Sequence, residues 1–178
     1  MPSSGTVSIP TLETPRLYLR PLCGADFQSY AALCADEQVM RWVGDCSVLD
    51  AGQAWRQLAM LLGHWDLRGF GMWAVERRED GVFLGRAGLH YPEGWPGIEA
   101  GWVFARAFWG QGYASEAGAR IVDYAREHLD ADSLVSLIHP ENAASIRVAS
   151  KLGGKLAGIL TGPPRAVMLR IPLRETQC

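Results

Sequence analysis

The sequence predicts one α/β (α+β) domain. Its sheet is mixed and mostly antiparallel, contains a parallel strand pair, and carries helices on both faces. Three observations point there. The 178 residues, 48% apolar and 20% charged, suit one domain with a sizeable buried core. Strand-like segments dominate the middle of the chain, separated by Gly- and Pro-rich turns. Beyond residue 105, helical periodicity alternates with strand, the pattern of a β-helix-β crossover. The whole chain, 1–178, reads as that domain, with residues 1–10 as a flexible N-terminal segment.

In order, RLYLR (16–20) alternates apolar and polar residues between two prolines and reads as a short strand. ADFQSYAALCAD follows with Phe27, Tyr30, Ala31 and Cys34 at helical spacing. Residues 51–64 form a second helix, with Ala51, Ala54, Trp55, Leu58, Leu61 and Leu62 in a wide apolar stripe. Residues 72–76 and 82–90 make a hairpin turned by Asp80-Gly81, and 98–104 continue it as a strand after a Pro/Gly loop. In the next helix Ala114, Ala117, Ile121, Ala125 and Leu129 share an apolar face, and Glu116 stands four residues before Arg120, an expected ion pair. Residues 134–138 form a short buried strand, parallel to 98–104 through a right-handed crossover. Asn142 then caps a helix that Gly153-Gly154 stop, and 155–160 with 166–171 close the fold as a hairpin.

Composition excludes several functions. A net charge of −2 lacks the basic footprint of a nucleic-acid binder. Cys23, Cys34, Cys46 and Cys178 form no CxxC pair and have no His at zinc-ligand spacing, so they read as reduced thiols and no metal is expected. MPSSGTVSIP has neither the basic region nor the apolar run of a signal peptide, and no segment approaches the ~20 apolar residues of a membrane span. A cytoplasmic protein is the expectation.

The segment FWGQGYASEA sets Gly110 and Gly112 between a strand and a helix start. First-turn N–H groups lack internal partners, the helix dipole adds positive charge, and glycine lets backbone approach a bulky anion. That makes a candidate phosphate site; turn geometry alone would explain the same glycines. No GxxxxGK[ST] string occurs, and Ser115 stands where the third glycine of GxGxxG belongs.

GWVFARAFWGQGYASEA followed by HPENAASIRVASKLG resembles the GNAT superfamily of N-acetyltransferases, most of all the branch containing ribosomal-protein N-terminal acetyltransferases. The family's pyrophosphate loop falls on Trp109, Gly110, Gln111, Gly112, Tyr113 and Ala114. Trp109 replaces the usual Gln or Arg, and Gln111 stands where a basic residue is common. Asn142, Ser145, Lys151, Leu152 and Gly153 match the downstream pattern, and TPRLYLRPL and GFGMWAV also fit the branch. The resemblance implies a GNAT-like fold with acetyl-CoA as co-substrate between two splayed parallel strands. It implies pantetheine and the thioester carbonyl on backbone N–H groups of Trp102, Val103 and Phe104. The pyrophosphate would lie on the loop through Ser115, and Asn142 near the pantetheine amides. A homodimer is common in the branch.

Acetyl transfer to an amine needs a base, because an alkylamine has a pKa near 10.4. Glu99 is the first candidate: alternation puts Glu99, Gly101 and Val103 on one strand face, and a carboxylate in an apolar strand is costly to bury. A solvated Glu or a partner for a nearby Arg is the alternative. Ser145, near a helix start, could donate to the departing sulfur or simply serve local backbone. No Tyr follows Tyr124, so the family's tyrosine acid is missing. His90, at a strand end, is a possible acceptor-site residue or alternative base. Most of the seven tryptophans are expected in the core, with Trp42 and Trp95 as walls of the acceptor site. The expected function is direct acetyl transfer from acetyl-CoA to a primary amine of a protein N-terminus or small molecule. A non-catalytic acyl-CoA sensor and a nucleotide-dependent redox protein are the rivals.

Overall fold

A computed structural model describes residues 7–161 and 165–174. Its strands are β1 (Leu12–Glu13), β2 (Leu17–Pro21), β3 (Met72–Arg77), β4 (Phe83–His90), β5 (Glu99–Phe104), β6 (Ser133–Ile138), β7 (Lys155–Leu160) and β8 (Ala166–Pro172). The helices are α1 (Phe27–Ala35), α2 (Glu37–Met40), α3 (Ala51–Arg68), α4 (Tyr113–His128) and α5 (Ala143–Lys151). One sheet holds the strands in the order β1-β2-β3-β4-β5-β6-β8-β7, and β5–β6 is its parallel pair. The predicted fold class is what the chain adopts. β1 and α2, only two and four residues long, have no counterpart in the sequence pattern, and α3 runs four residues beyond its expected end.

Local chemistry sets the helix ends. Asp50 accepts from the Gln53 N–H while the Gln53 side chain accepts from the Asp50 N–H, so both ends of a capping box start α3. Gly69, at φ 76°, ends that helix in the left-handed conformation. Asn142 caps α5 by accepting from the Ser145 N–H at 3.2 Å, as expected from sequence.

Alternation sends the side chains of β3 into two cores. Trp73 and Val75 face α4, packing with Ala117, Ile121 and Ala125. Met72 and Ala74 face α1 and α3, packing with Tyr30, Leu58 and Leu61. Arg20 joins strands to helix by pairing with Asp26 at 2.7 Å and Glu76 at 2.5 Å. Burial alone would raise the Asp26 carboxyl; hydrogen bonds from Arg20 and the Cys23 N–H hold it below its ordinary value instead.

Two sequence expectations are corrected. Glu116 does not pair with Arg120. It accepts from Arg16 at 2.7 Å and from Thr14 at 2.6 Å, while Arg120 approaches Glu127. The long-range partners win because Arg16 bonds Glu116 through both its guanidinium and its backbone N–H. Nor are most tryptophans in the core: only Trp65 and Trp73 are buried, while Trp55, Trp95 and Trp109 are exposed. Their indole N–H groups explain part of this, since Trp95 and Trp109 satisfy theirs on Glu99 and the Phe104 carbonyl without burying the ring. Of the segment expected to be flexible, residues 1–6 lie outside the described residues. Val7 and Ile9 pack on the core, and the Pro10 carbonyl accepts from the Trp73 indole at 2.8 Å.

Candidate active site

The parallel pair opens almost as soon as it forms. Glu99 opposite Val135 is its one paired rung, closed by the Val135 N–H on the Ile98 carbonyl (2.8 Å) and the Ser136 hydroxyl on the Ala100 carbonyl (2.5 Å). Past that point β5 continues to pair only with β4, and β6 only with β8. The gap belongs to a cleft of about 780 Å³ whose walls include Glu99, Trp102, Val103, Asn142 and Ser145.

Strand alternation decides which amides face the gap. Ile98 and Ala100 offer their carbonyls to β6, whereas the Ala105 N–H bonds to Leu84 on the β4 side. Trp102 and Phe104 therefore share the open edge with Ala100, and Val103 is turned to Arg86 of β4 by the register. Of the three amides expected to meet a ligand, the Val103 N–H is committed to the sheet.

Glu99 is partly buried at the closed end of the cleft. The Trp95 indole donates to one of its oxygens at 2.7 Å, and the Leu137 N–H approaches the other at 3.4 Å. Burial raises the carboxyl above its ordinary value; these hydrogen bonds and the field of Arg86 only partly oppose it. His90 stands directly across from Glu99 in the β4–β5 register. Its Nδ1 is buried without a partner, and burial, helped by His64 and Arg86, pulls it down to about 4. It is neutral at physiological pH and can accept a proton or hydrogen bond, but is no cation. Trp42, stacked on His139 at 4.4 Å, and Trp95 both line the cleft.

The glycine loop lies outside the cleft lining, beyond the far end of β5. Gly110 and Gly112 have φ of 74° and 84°, conformations that favour glycine, and α4 begins at Tyr113. The N–H groups of residues 110–115 donate to no other group among the described residues. The space over Gly110 is open. Six neighbouring free donors at a helix N-terminus make an anion cradle. The Gln111 amide is turned away, onto the Ala107 carbonyl at 2.9 Å. The Trp109 indole donates to the Phe104 carbonyl at 2.7 Å, pinning the loop to the strand.

Two residues that sequence reasoning missed stand at this site. Arg16 donates to the Gln111 carbonyl at 3.0 Å and lies over the Tyr113 ring, placing a guanidinium beside the loop from 95 positions away. Arg86 sits buried in the cleft wall. Arg16 belongs to a strand-like segment and Arg86 to a predicted hairpin; only the folded topology brings either to the site.

The Acetyltransferase (GNAT) domain family matches residues 16–155. YkkB of Bacillus subtilis strain 168, an uncharacterized protein, is 40% identical over 87 residues, which cover 48% of this chain and 51% of that protein, about half of each. The crystal structure of an acetyltransferase from Agrobacterium tumefaciens is 33% identical, with a TM-score of 0.82 over 92% of this chain and 94% of that one. The Salmonella typhimurium protein yncA, solved with its cofactor acetyl-CoA, shares the fold at 20% identity and a TM-score of 0.71, over 91% and 97% of the two chains. With the family match spanning most of its length and the Agrobacterium likeness nearly all of it, this chain belongs to the GNAT acetyltransferase family.

Proposed function

We propose that this protein is an acetyl-CoA-dependent N-acetyltransferase in which a primary amine attacks directly within a ternary complex. One observation carries the reading. Glu99, a carboxyl made more basic by burial, stands where β5 and β6 part, in the same cleft as Ser145 and the open β5 edge. The donor set suits acetyl-CoA. The free N–H groups of residues 110–115 match a pyrophosphate, Arg16 adds the cation that Gln111 does not, and the Trp102 and Phe104 edge suits the pantetheine arm and the thioester carbonyl. The acetyl-CoA found with yncA supports the assignment. When bound, acetyl-CoA supplies an activated acetyl thioester.

The residues divide the remaining work. An alkylamine arrives protonated, because its pKa of about 10.4 lies above physiological pH. Glu99 accepts that proton, directly or through one water, and its raised basicity favours the transfer. Trp95 holds the carboxylate in place. Asn142 spends its side-chain oxygen on the α5 cap, which leaves the Ser145 hydroxyl to donate to the departing sulfur.

Thermal shift with acetyl-CoA, CoA and NAD in parallel tests the cofactor. A ligand at 100 times its Kd adds about 2.7 kcal/mol of stability. Both CoA species should stabilise the protein and NAD should not; no shift with either CoA species would sink the assignment. Glu99→Gln should lower kcat by about 10²-fold while the acetyl-CoA shift persists. CoA binding with no amine ever acetylated would instead identify a sensor.

A further inference from the structure

Arg86 of β4 has 9% of its surface exposed and forms part of the cleft wall. A buried guanidinium is costly unless something pairs with its charge. Among the described residues no carboxylate forms an ion pair with it. Its ionisable neighbours do not supply the missing charge. Tyr30 is pushed up to about 12 by burial, the Cys34 thiol is raised for the same reason, and His90 is neutral above about 4. Glu99 feels Arg86 but stands apart from it. Arg86 is opposite Val103 and His90 is opposite Glu99, so the backbone positions of the two residues lie four rungs apart along one face, about 13 Å at 3.3 Å per residue.

The rung between them is Gly88 opposite Gly101. Neither places a side chain between the two residues; the Met72 methyl, 3.2 Å from where a Cβ on Gly101 would sit, is the group that covers this rung. Gln57, which lines the cleft together with Arg86, accepts the Tyr30 O–H at 2.5 Å and the Cys34 S–H at 3.7 Å on one oxygen. That orientation leaves its amide N–H groups as further donors at the cleft wall. Among the lining residues Glu99 is the one carboxylate, against two cations, Arg86 and Arg165.

We infer that the acceptor carries a carboxylate as well as an amine. Arg86, with the Gln57 amide beside it, holds the carboxylate, and the amine lies at Glu99. A polyamine would leave the buried guanidinium unpaired and add like charge to it; an amino acid neutralises both ends of the face. The four-rung separation, shortened by the reach of the arginine, favours an amine several bonds from the carboxylate. This inference rests on the acetyl-transfer reading and names the substrate class for it.

The experiment is steady-state kinetics with saturating acetyl-CoA on two acceptor series of matched length: ω-amino acids (4-aminobutyrate, 6-aminohexanoate) and the corresponding n-alkylamines. The intact protein should favour the acids in kcat/KM by about 10- to 100-fold, the range of a charged hydrogen bond. Arg86→Gln should cost the acids at least tenfold more than the alkylamines, mainly through KM, and Arg86→Lys should restore part of the loss. The acetyl-CoA thermal shift should persist in both variants. Equal turnover of the two series by the intact protein overturns the inference without any variant, and leaves acetyl transfer standing. Loss of the acetyl-CoA shift in Arg86→Gln also overturns it, because Arg86 would then serve the nucleotide or the fold. Absence of acetyl-CoA binding in the intact protein fails the underlying reading first.

Discussion

At the scale of single residues, the cleft is held in a particular protonation state by its neighbours. The buried His64 ring donates from Nδ1 to the Phe70 carbonyl (2.8 Å) and accepts the Tyr91 N–H on Nε2 (2.9 Å), a pattern that only neutral imidazole can satisfy. His90 stacks on it at 5.2 Å and meets the Trp95 edge at 5.8 Å, with Arg86 four residues behind on the same strand face and Glu99 opposite. Both histidines are held below the ordinary value near 6.5, His90 to about 4. The sign follows from linkage. Between about pH 6.5 and 4 the unfolded chain binds a proton that folded His90 refuses, so its stabilising contribution is whole above pH 6.5 and is lost as pH falls towards 4. Glu99, raised in the fold, titrates with the opposite effect, so the comparison must be made between variants. His90→Gln should lose less stability than the parent between pH 7.5 and 5, read from urea midpoints. Parallel losses would mean that burial does not keep His90 neutral. Glu99 and its face were legible in IEAGWVF, because alternation is a local rule. Arg86 was not: a strand arginine in GRAGLH reads as solvent-facing until α1 and α3 are known to cover that side.

At the scale of elements, two glycines should respond oppositely to the same substitution. Gly112 precedes α4 at φ 84°, where a Cβ is strained, and its N–H belongs to the free run at the helix start. Gly112→Ala should lower stability by about 1 kcal/mol and weaken acetyl-CoA binding. Gly63 lies inside α3, without positive φ, and a Cβ there meets open space. Gly63→Ala should raise stability by about 0.5–1 kcal/mol with acetyl-CoA binding unchanged. Thermal melts with and without acetyl-CoA check both; a tolerated Gly112→Ala with full affinity would reduce the loop glycines to ordinary turn residues. Most elements were legible because caps and periodicity act within a few residues, as at Asn142 and at Asp80-Gly81. The Glu116 partner was not, because helix spacing proposes Arg120 while the actual partner, Arg16, lies 100 positions upstream. The two-residue β1 was equally out of reach, since its pairing with β2 depends on the return of the chain through Thr14 to Leu17.

At the scale of the whole molecule, one core takes residues from both strands of the cleft, Ala100 and Phe104 of β5 and Leu134 of β6, and Trp73 ties that core to the helices. It is fully buried on β3, between Trp65 of α3 at 4.8 Å and Tyr124 of α4 at 5.1 Å, both edge-on. Its indole also fastens the segment before β1 through the Pro10 carbonyl. Helix, sheet, opposite helix and N-terminal strap thus share one side chain, so their stabilities should be coupled rather than additive. Trp73→Phe removes the indole N–H, leaves the Pro10 carbonyl without that donor, and opens a small void. The expected cost is about 1–3 kcal/mol, from the unsatisfied group and the lost volume together. In urea the midpoint should fall with the slope unchanged, and far-UV circular dichroism and the fluorescence of the remaining tryptophans should report one coincident transition. Trp55, Trp95 and Trp109 are exposed, so that fluorescence samples α3, the cleft wall and the glycine loop in a single measurement. Two separated transitions would show that the acceptor-side helices and the α4 side fold as independent units. The cleft would then be a junction between units able to shift against each other, instead of a gap built into one rigid sheet.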